Sequence, residues 1–271
     1  MNSLQDRLAH VAPVPAAWAD PQDGDTVSAH AVLGPHTGFA ALEQTLIACG
    51  PGRSLPRDTG DCEEVLFVLS GEGVLRTGGE THALEPECGA YLAPGESYGL
   101  EARGGEVLRV VAVRVEPAGA GSIASSAGAE LAGWGESEPV EPARAVVRRL
   151  ADQESEAATT QREFRIVADP ASGLRSATHF VGYIPTLRAP EHFHTYDEVI
   201  YVLDGAGVMH VDGAHHPLAS GSSIQLPAGT VHCLENTGAA VMRIVAVFRP
   251  AGSPAAAYYP DGSPAYAPYP E

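Results

Sequence analysis

The feature that most constrains this chain is an internal duplication spanning about half its length. Residues 62–75 read CEEVLFVLSGEGVL and residues 196–209 read YDEVIYVLDGAGVM, so that Glu64 corresponds to Glu198 at an offset of 134 residues. Similar segments flank both copies at nearly the same offset. Solenoid repeats are about 20–50 residues long, so a repeat of about 134 residues is a whole domain. The sequence therefore predicts two similar domains in tandem.

The composition of each copy favours short strands over helices. The chain has 30 glycines and 22 prolines, and its longest apolar runs, such as Val65–Leu69 and Ile244–Phe248, have the length of a strand. Asp204-Gly205 and Asp212-Gly213 are typical hairpin turns. We predict an all-β chain with a first domain at 25–116, a linker or arm at 117–160, a second domain at 161–250 and a Pro/Tyr-rich tail at 251–271.

The chain is strongly acidic, with 34 Asp and Glu residues against 16 arginines, no lysine and a formal net charge of −18. A phosphate backbone or an anionic membrane surface would repel such a chain. We therefore expect neither a nucleic acid nor a membrane as partner. The absence of lysine also excludes Schiff-base catalysis through a lysine amine.

The cysteines and the N-terminus indicate where the protein resides. The four cysteines, at positions 49, 62, 88 and 233, show no CxxC spacing, which is typical of a reducing compartment. The first twenty residues contain no apolar stretch typical of a signal peptide, and no run approaches the length of a membrane span. We expect a cytoplasmic protein.

A group of potential metal ligands lies in the second copy. Residues 190–205 read PEHFHTYDEVIYVLDG, in which His192, His194 and Glu198 are all even-numbered and would share one face of a regular strand. His232, at the predicted start of a later strand, is placed to supply a fourth ligand. Imidazole and carboxylate ligands together suit Mn, Fe, Co, Ni, Cu or Zn rather than Ca or Mg.

These stretches resemble the two sequence motifs of the cupin family. The first has the pattern His-x-His, three residues, Glu, six residues and Gly, which ends here at Gly205. The positions of the second motif are filled by Gly221, Pro227, Gly229, His232 and Asn236. The resemblance covers 161–250 well and 25–116 in outline.

The resemblance implies two tandem cupin barrels of the double-stranded β-helix, or jelly-roll, type. It also implies one divalent transition metal per chain (Mn, Fe, Ni, Cu or Zn), bound by His192, His194, Glu198 and His232. Because imidazole must be neutral to bind a metal, affinity is expected to fall as the pH drops through about 6.5, the ordinary pKa of histidine.

The first copy departs from the motif. Asp58 and Gly60 stand opposite the first two histidines, Tyr98 or Gly99 stands opposite His232, and only Glu64 is retained. We therefore expect a degenerate first barrel without a metal site. Its expected role is structural or as a dimerisation surface, and the chain is expected to form a homodimer.

Residues for binding or converting a small-molecule substrate are less sharply marked. The candidates are Glu198, His179, Arg188, Tyr183 and Gln225, with Arg175 as a further possible contact. His179 is a candidate because it precedes an apolar segment that would run near the metal in a cupin barrel. Cys233 follows His232, so in a regular strand its thiol should point away from the metal.

The resemblance implies an enzyme, and its reaction class stays open between alternatives. The leading interpretation is a dioxygenase or related oxidoreductase, similar to the quercetin dioxygenase-like and oxalate decarboxylase-like two-barrel cupins. The alternative is non-redox chemistry, as in manganese-dependent ureidoglycine aminohydrolase or another cupin lyase or isomerase. The aminohydrolase family has Glu, His and Gln at the positions of His192, Glu198 and His232. A metal or ligand sensor is a third interpretation, although no helix-turn-helix is evident.

Overall fold

The computed structural model describes residues 9–12, 24–117, 144–158 and 161–265. These residues form almost only strands, with short 3-10 turns at Pro35–Thr37, Leu150–Asp152 and Pro170–Ser172, which confirms the predicted all-β fold. The strands are β1 (His10–Ala12), β2 (Val27–Leu33), β3 (Leu42–Cys49), β4 (Gly52–Arg53), β5 (Arg57–Asp58), β6 (Glu63–Ser70), β7 (Glu72–Thr77), β8 (Glu80–Leu84), β9 (Cys88–Leu92), β10 (Ser97–Arg103), β11 (Leu108–Val115), β12 (Val147–Arg149), β13 (Glu156–Ala157), β14 (Glu163–Ala168), β15 (Thr178–Ile184), β16 (Asp197–Asp204), β17 (Ala206–Val211), β18 (Ala214–Ala219), β19 (Ser223–Leu226), β20 (His232–Asn236) and β21 (Met242–Arg249).

The duplication is visible strand by strand. Strands β2, β3 and β6–β11 correspond in order to β14, β15 and β16–β21, and the first two strands of each set are joined by a 3-10 turn that begins with proline. In both copies the strand that carries the motif glutamate pairs with the strand after the second hairpin, Glu64 with Leu92 and Glu198 with Leu226.

Turn residues set the strand boundaries. Asp212 and Gly213 both have positive φ, 51° and 74°, and form the two-residue turn between β17 and β18. Gly205 directly follows the last residue of β16 and has φ 98°. A Cβ there would meet the Met242 backbone at 3.0 Å. This position thus requires glycine for its conformation and for the close approach of β21.

Each copy is a barrel built from a large and a small antiparallel sheet. In the first, the sheet β12-β9-β6-β11-β3-β2 packs on β5-β10-β7-β8, and in the second, β1-β19-β16-β21-β15-β14-β13 packs on β18-β17-β20. The barrel interiors are apolar: Leu66, Leu75 and Leu100 are fully buried in the first, and Val202, Met209 and Phe248 in the second.

A third core lies between the barrels. Val65 and Phe67 of β6 belong to the same buried cluster as Val181 of β15 and Val199 of β16. The large sheets are therefore apolar on both faces, one directed into the barrel and one towards the other barrel. Gly89 of β9 permits this approach, since a Cβ there would lie only 2.0 Å from the Val167 side chain.

Buried hydrogen bonds fix the relative position of the two barrels. The carboxylate of Glu63 in the first barrel accepts bonds from the Arg175 and Ser176 backbone amides of the second, at 2.8 and 2.9 Å. The Tyr91 hydroxyl donates to the same carboxylate over 2.8 Å. Glu63 thus connects two domains, a role that its position beside Glu64 did not reveal.

Segments outside the repeats pack onto the barrels. β1, which precedes the first barrel, pairs with β19 of the second, and β12 pairs with β9 of the first, so residues 147–149 are an arm on that barrel. Most of the glycine- and alanine-rich stretch of the expected linker lies outside the described residues. No helix among the described residues is long and apolar enough to cross a membrane.

Candidate metal centre

Three histidines of the second barrel converge on one point. His192 and His232 face each other across a short antiparallel bridge, with backbone hydrogen bonds of 3.0 and 2.8 Å between them. The backbone oxygen of His194 accepts a 2.8 Å bond from Gly229, in the turn before β20. One ring nitrogen from each histidine lies within 4.8 Å of one from each of the others.

A backbone carbonyl fixes the ring orientation of every histidine in this cluster. The Nδ1 atoms lie 2.9, 2.7 and 2.9 Å from carbonyl oxygens, those of His192 from Pro190, His194 from Ala256 and His232 from Thr230. A carbonyl can only accept, so each Nδ1 carries the hydrogen and each Nε2 keeps its lone pair. This leaves three Nε2 acceptors.

Burial keeps these imidazoles neutral. It lowers the pKa of His192, lowers that of His194 to about 3, and lowers that of His232 well below its usual value. The neighbouring imidazoles lower the pKa values of His194 and His232 further. A cluster of neutral acceptors without a donor between them is a poor arrangement in itself and is suited to a cation.

Glu198 lines the same cavity but stands outside the three-histidine cluster. The expected regular strand does not run through all three first-motif ligands: the chain bends at 195–196, and β16 begins only at Asp197. Burial raises the pKa of the Glu198 carboxyl to about 8, against an opposing effect of Arg162. Within the described chain this carboxyl has no hydrogen-bond partner.

Tyr196 holds the ring of His194 in place, which sequence reasoning missed. Its ring stacks between those of His194 and Phe248, at centroid distances of 4.6 and 3.9 Å. The alternation of residues in the motif gave no signal for this contact, because Tyr196 lies in the bend and not in a strand.

The cluster opens into a mostly apolar cavity of about 80 Å³. Its apolar wall comes from opposite sides of the barrel and includes Phe180, Ile200, Met209, Leu234 and Ile244. Arg162, which sequence reasoning did not single out, also lines it. Since a water takes up about 30 Å³ in the liquid, such a cavity holds about two to three waters, or one small organic molecule.

Two of the expected substrate contacts lie between the barrels instead. His179 is part of β15 and not a residue before it, and its ring packs edge-on against Phe67 of the first barrel at 6.0 Å. Burial lowers its pKa to about 3. Gln225 exchanges two hydrogen bonds with Thr37 of the first barrel, at 2.6 and 3.0 Å. Both side chains are on the sheet face that points away from the cavity.

The remaining candidates for substrate contact, Arg188 and Tyr183, differ in their distance from the cavity. Arg188 is exposed and pairs through its backbone with Glu235, so the structure does not bring it to the cavity. Tyr183 is at the cavity wall, and the guanidinium carbon of Arg165 lies 5.8 Å from its ring centroid. Cys233 is fully buried, and its Sγ donates to the Ala189 carbonyl over 2.9 Å, pointing away from the histidine cluster as its place in the strand predicted.

The C-terminal tail closes one side of the cavity. Pro254 and Ala257 line it, and the Ala256 carbonyl is the partner of His194 described above. Tyr258 forms a backbone bridge to Phe193, with the two rings stacked at 5.7 Å. The described part of the tail, up to residue 265, is therefore a strap over the histidine cluster.

The first barrel has no comparable cluster. Within the described residues, the group at His192, His194 and His232 is the one set of three or more potential ligands close enough to share an ion. The Tyr98 hydroxyl donates to Glu64 over 2.8 Å, and Asp58 is exposed and accepts a bond from Gly60.

The side chains of the second barrel fit a divalent transition metal. Neutral imidazoles that present Nε2, each with Nδ1 bonded to a carbonyl, are the usual arrangement of histidine ligands and their outer partners. His192, His194 and His232 would hold the ion, and Glu198 is a buried carboxylate within the same cavity. Nitrogen ligands with one carboxylate favour a transition metal over Ca or Mg.

Comparison with solved structures finds the same architecture in several proteins. They include protein Ylba from Escherichia coli (TM-score 0.68, 14% identity, covering 89% of this chain and 90% of that one). A mutant of Bacillus subtilis oxalate decarboxylase OxdC is similar too (TM-score 0.67, 14% identity, 94% and 80%), as is a putative glyoxylate-induced protein from Pseudomonas aeruginosa (0.63, 19%, 82% and 80%). At these identities the likeness shows the fold alone.

Comparisons of sequence identify the family. Protein SchB from Streptomyces halstedii is 37% identical over 62 residues, which are 22% of this chain and 45% of that protein, so the match spans less than half of that relative. The model of the cupin domain matches twice, at residues 46–114 and 179–248. The two matches together cover half of the chain, and each lies within one of the barrels. The chain therefore belongs to the cupin family and carries two cupin domains.

Proposed function

We propose that this chain is a metal-dependent enzyme whose second barrel converts a small oxygenated organic molecule, with dioxygenase or related oxidoreductase chemistry as the leading class. The observation that carries the proposal is the set of three imidazoles with Nδ1 fixed by carbonyls and Nε2 presented to a buried cavity. A site built only for stability would pair these acceptors with donors of the chain.

The proposed ligands are His192, His194, His232 and Glu198, with one metal per chain. When bound, Mn, Fe, Ni, Cu or Zn supplies Lewis acidity and, for the redox-active ions, electron transfer. The histidines need release no proton to bind it, because their pKa values are already low. Glu198 must turn towards the cluster and lose its proton, since its pKa is near 8.

The cavity walls supply the other contributions. The apolar wall and the tail strap exclude water from the bound molecule, which strengthens every polar contact inside. A substrate of a few heavy atoms fills the volume described above. Tyr196 and the Ala256 carbonyl keep His194 in a single orientation.

The test is reconstitution of the full chain, purified without an affinity tag, with each of the five metals. Oxygen uptake and product formation are measured with a panel of small hydroxy- and oxo-substituted compounds. We expect turnover that depends on the metal and consumes oxygen in proportion to product. Product without oxygen uptake would assign the alternative, non-redox aminohydrolase, lyase or isomerase chemistry. No metal-dependent turnover of any compound would contradict the proposal.

Two further expectations remain predictions. Free cysteines without a disulfide among the described residues agree with a cytoplasmic location, which fractionation of the native host would test. The expected homodimer is tested by light scattering coupled to size-exclusion chromatography.

A further inference from the structure

Arg162 brings a positive charge into the cavity of the metal centre. It directly precedes β14 and follows Gln161, whose φ of 59° turns the chain into the barrel mouth. Its Nη2 donates to the backbone carbonyl of Leu234 over 2.7 Å, on the strand that begins with His232. The guanidinium is thereby held beside the histidine cluster.

The hydrogen-bonding capacity of this guanidinium is not used up by the protein. The Nε atom is buried and has no hydrogen-bond partner, and the Leu234 carbonyl is the one acceptor that the described chain offers the side chain. No carboxylate of the described residues forms an ion pair with Arg162, whereas Arg76, Arg144 and Arg243 each have at least one such partner. The residue as a whole is half-buried, but its Nε is buried, and a buried donor without an acceptor is costly unless a ligand reaches it. For a guanidinium the matching ligand is an anion.

We propose that Arg162 binds a carboxylate of the substrate, so that the molecule converted at this site is a small organic acid with a further oxygen function. The claim that the acid is converted rests on the proposed function. The claim that the acid binds to Arg162 does not. A guanidinium presents a planar fork of N–H donors that matches two carboxylate oxygens.

The rest of the cavity sets the size and polarity of the acid. Apart from Arg162 and the three histidines, the polar side chains that line the cavity are those of Glu163, Tyr183, Tyr196 and Glu198. Phe180, Ile200 and Ile244 form apolar wall. The carboxylate therefore lies against Arg162, the second oxygen function faces the histidines, and a short carbon skeleton packs on the wall. The small volume excludes long-chain acids.

Binding of simple probes to the zinc-loaded full chain tests this inference without any turnover. Propionate and its neutral isostere propionamide are titrated by ligand-observed NMR. We expect the wild type to bind propionate and to bind propionamide at least about tenfold more weakly, because a charge-assisted pair is lost. Arg162→Gln should raise the propionate Kd by about 10- to 100-fold. Zinc content should stay unchanged, because the guanidinium is not a ligand.

The matched control is Arg188→Gln, which removes an exposed arginine on the outside of the same barrel and should bind propionate like the wild type. Equal binding of acid and amide by the wild type, or unchanged binding in folded Arg162→Gln, would overturn the inference. Because zinc also binds carboxylates, the acid–amide comparison is repeated on the metal-free chain, where the preference for the acid should persist and where equal binding would overturn the inference. This comparison needs no variant and so stays decisive if Arg162→Gln does not fold. Arg162-dependent binding without metal-dependent turnover would reject the proposed function alone, and turnover without propionate binding would reject this inference alone.

Discussion

At the position where the second barrel has Glu198, the first barrel has Glu64, and the two carboxyls differ only in their neighbours. Burial raises the pKa of both. Glu64 accepts a hydrogen bond from the Tyr98 hydroxyl, whereas Glu198 shares its cavity with three imidazoles that present acceptors. A buried carboxyl beside a donor is satisfied by the chain itself, whereas one beside acceptors needs a cation. The same strand plan thus yields one barrel in which the glutamate is paired by the chain and one in which it lies in the cavity of the candidate metal site.

The largest effect that sharpens this comparison is expected from a matched pair of substitutions. Glu198→Gln removes the anionic ligand while keeping the side-chain volume, so a cavity effect is set aside. Even outer-shell substitutions weaken metal binding by about 10–100-fold, and we expect a loss of more than about 100-fold here. Glu64→Gln should leave metal affinity unchanged. Competition with a chelating dye measures both.

Two outcomes of that pair would break the comparison. Equal loss of metal affinity in both variants, with the protein folded by circular dichroism, would mean that the first barrel takes part in the site. No change in either variant would remove Glu198 from the ligand set and leave a site of three histidines.

A smaller effect is expected from the tail, which has its contacts on the second barrel. Ending the chain at residue 250 removes the Ala256 carbonyl that fixes His194. We expect metal affinity to fall by about 10–100-fold, as for loss of an outer-shell partner. Ending the chain at residue 265 removes none of the described contacts and is the matched control. Unchanged affinity in the shorter chain would show that the strap has no part in holding the ligand.

The smallest effect concerns pH, and its sign follows from the pKa values. At a pH below about 8 Glu198 holds a proton that it must release to bind a cation, while burial lowers the pKa values of all three histidines, that of His194 to about 3. Metal affinity should therefore fall by about tenfold per unit, for one proton, between about pH 7 and 6.

The two glutamate variants test which group releases this proton. Glu198→Gln should flatten the pH profile, and Glu64→Gln should keep the wild-type slope. The ordinary histidine pKa would instead predict a loss that starts near pH 6.5 and steepens with up to three protons. Such a profile in the wild type would contradict the assignment of the proton to Glu198.

The fold and the histidine cluster could be predicted because their signals are local. Hairpin glycines, strand-length apolar runs and the close spacing of His192 and His194 all act within a few residues. The tyrosine that satisfies Glu64, Tyr98, is one of the two residues that the alignment of the copies set opposite His232. These features need no knowledge of how the two barrels pack.

The positions of His179 and Gln225 could not be predicted for a physical reason. Alternation shows that two faces of a strand differ, but both faces of these sheets are apolar, one for the barrel interior and one for the other barrel. Phe180 and Val181 are both buried, although they lie on opposite faces. The sequence therefore could not tell which face held the cavity.

The contributions of Arg162 and of the Ala256 carbonyl could not be predicted for a different reason. Both reach the site from segments distant in sequence from its ligands, and neither lies in a motif. A backbone carbonyl has no sequence signature at all. A single arginine before a strand has the same pattern as an ordinary surface residue, and only the folded barrel shows that it lines the cavity.

The account depends most directly on where the metal resides, and elemental analysis of the full chain, purified without an affinity tag, measures this. Mass spectrometry of metals should find one equivalent of a transition metal per wild-type chain and essentially none in folded His192→Ala/His194→Ala. Two equivalents in the wild type, or one equivalent retained in the double variant, would place metal outside the three-histidine cluster and contradict the division between the two barrels.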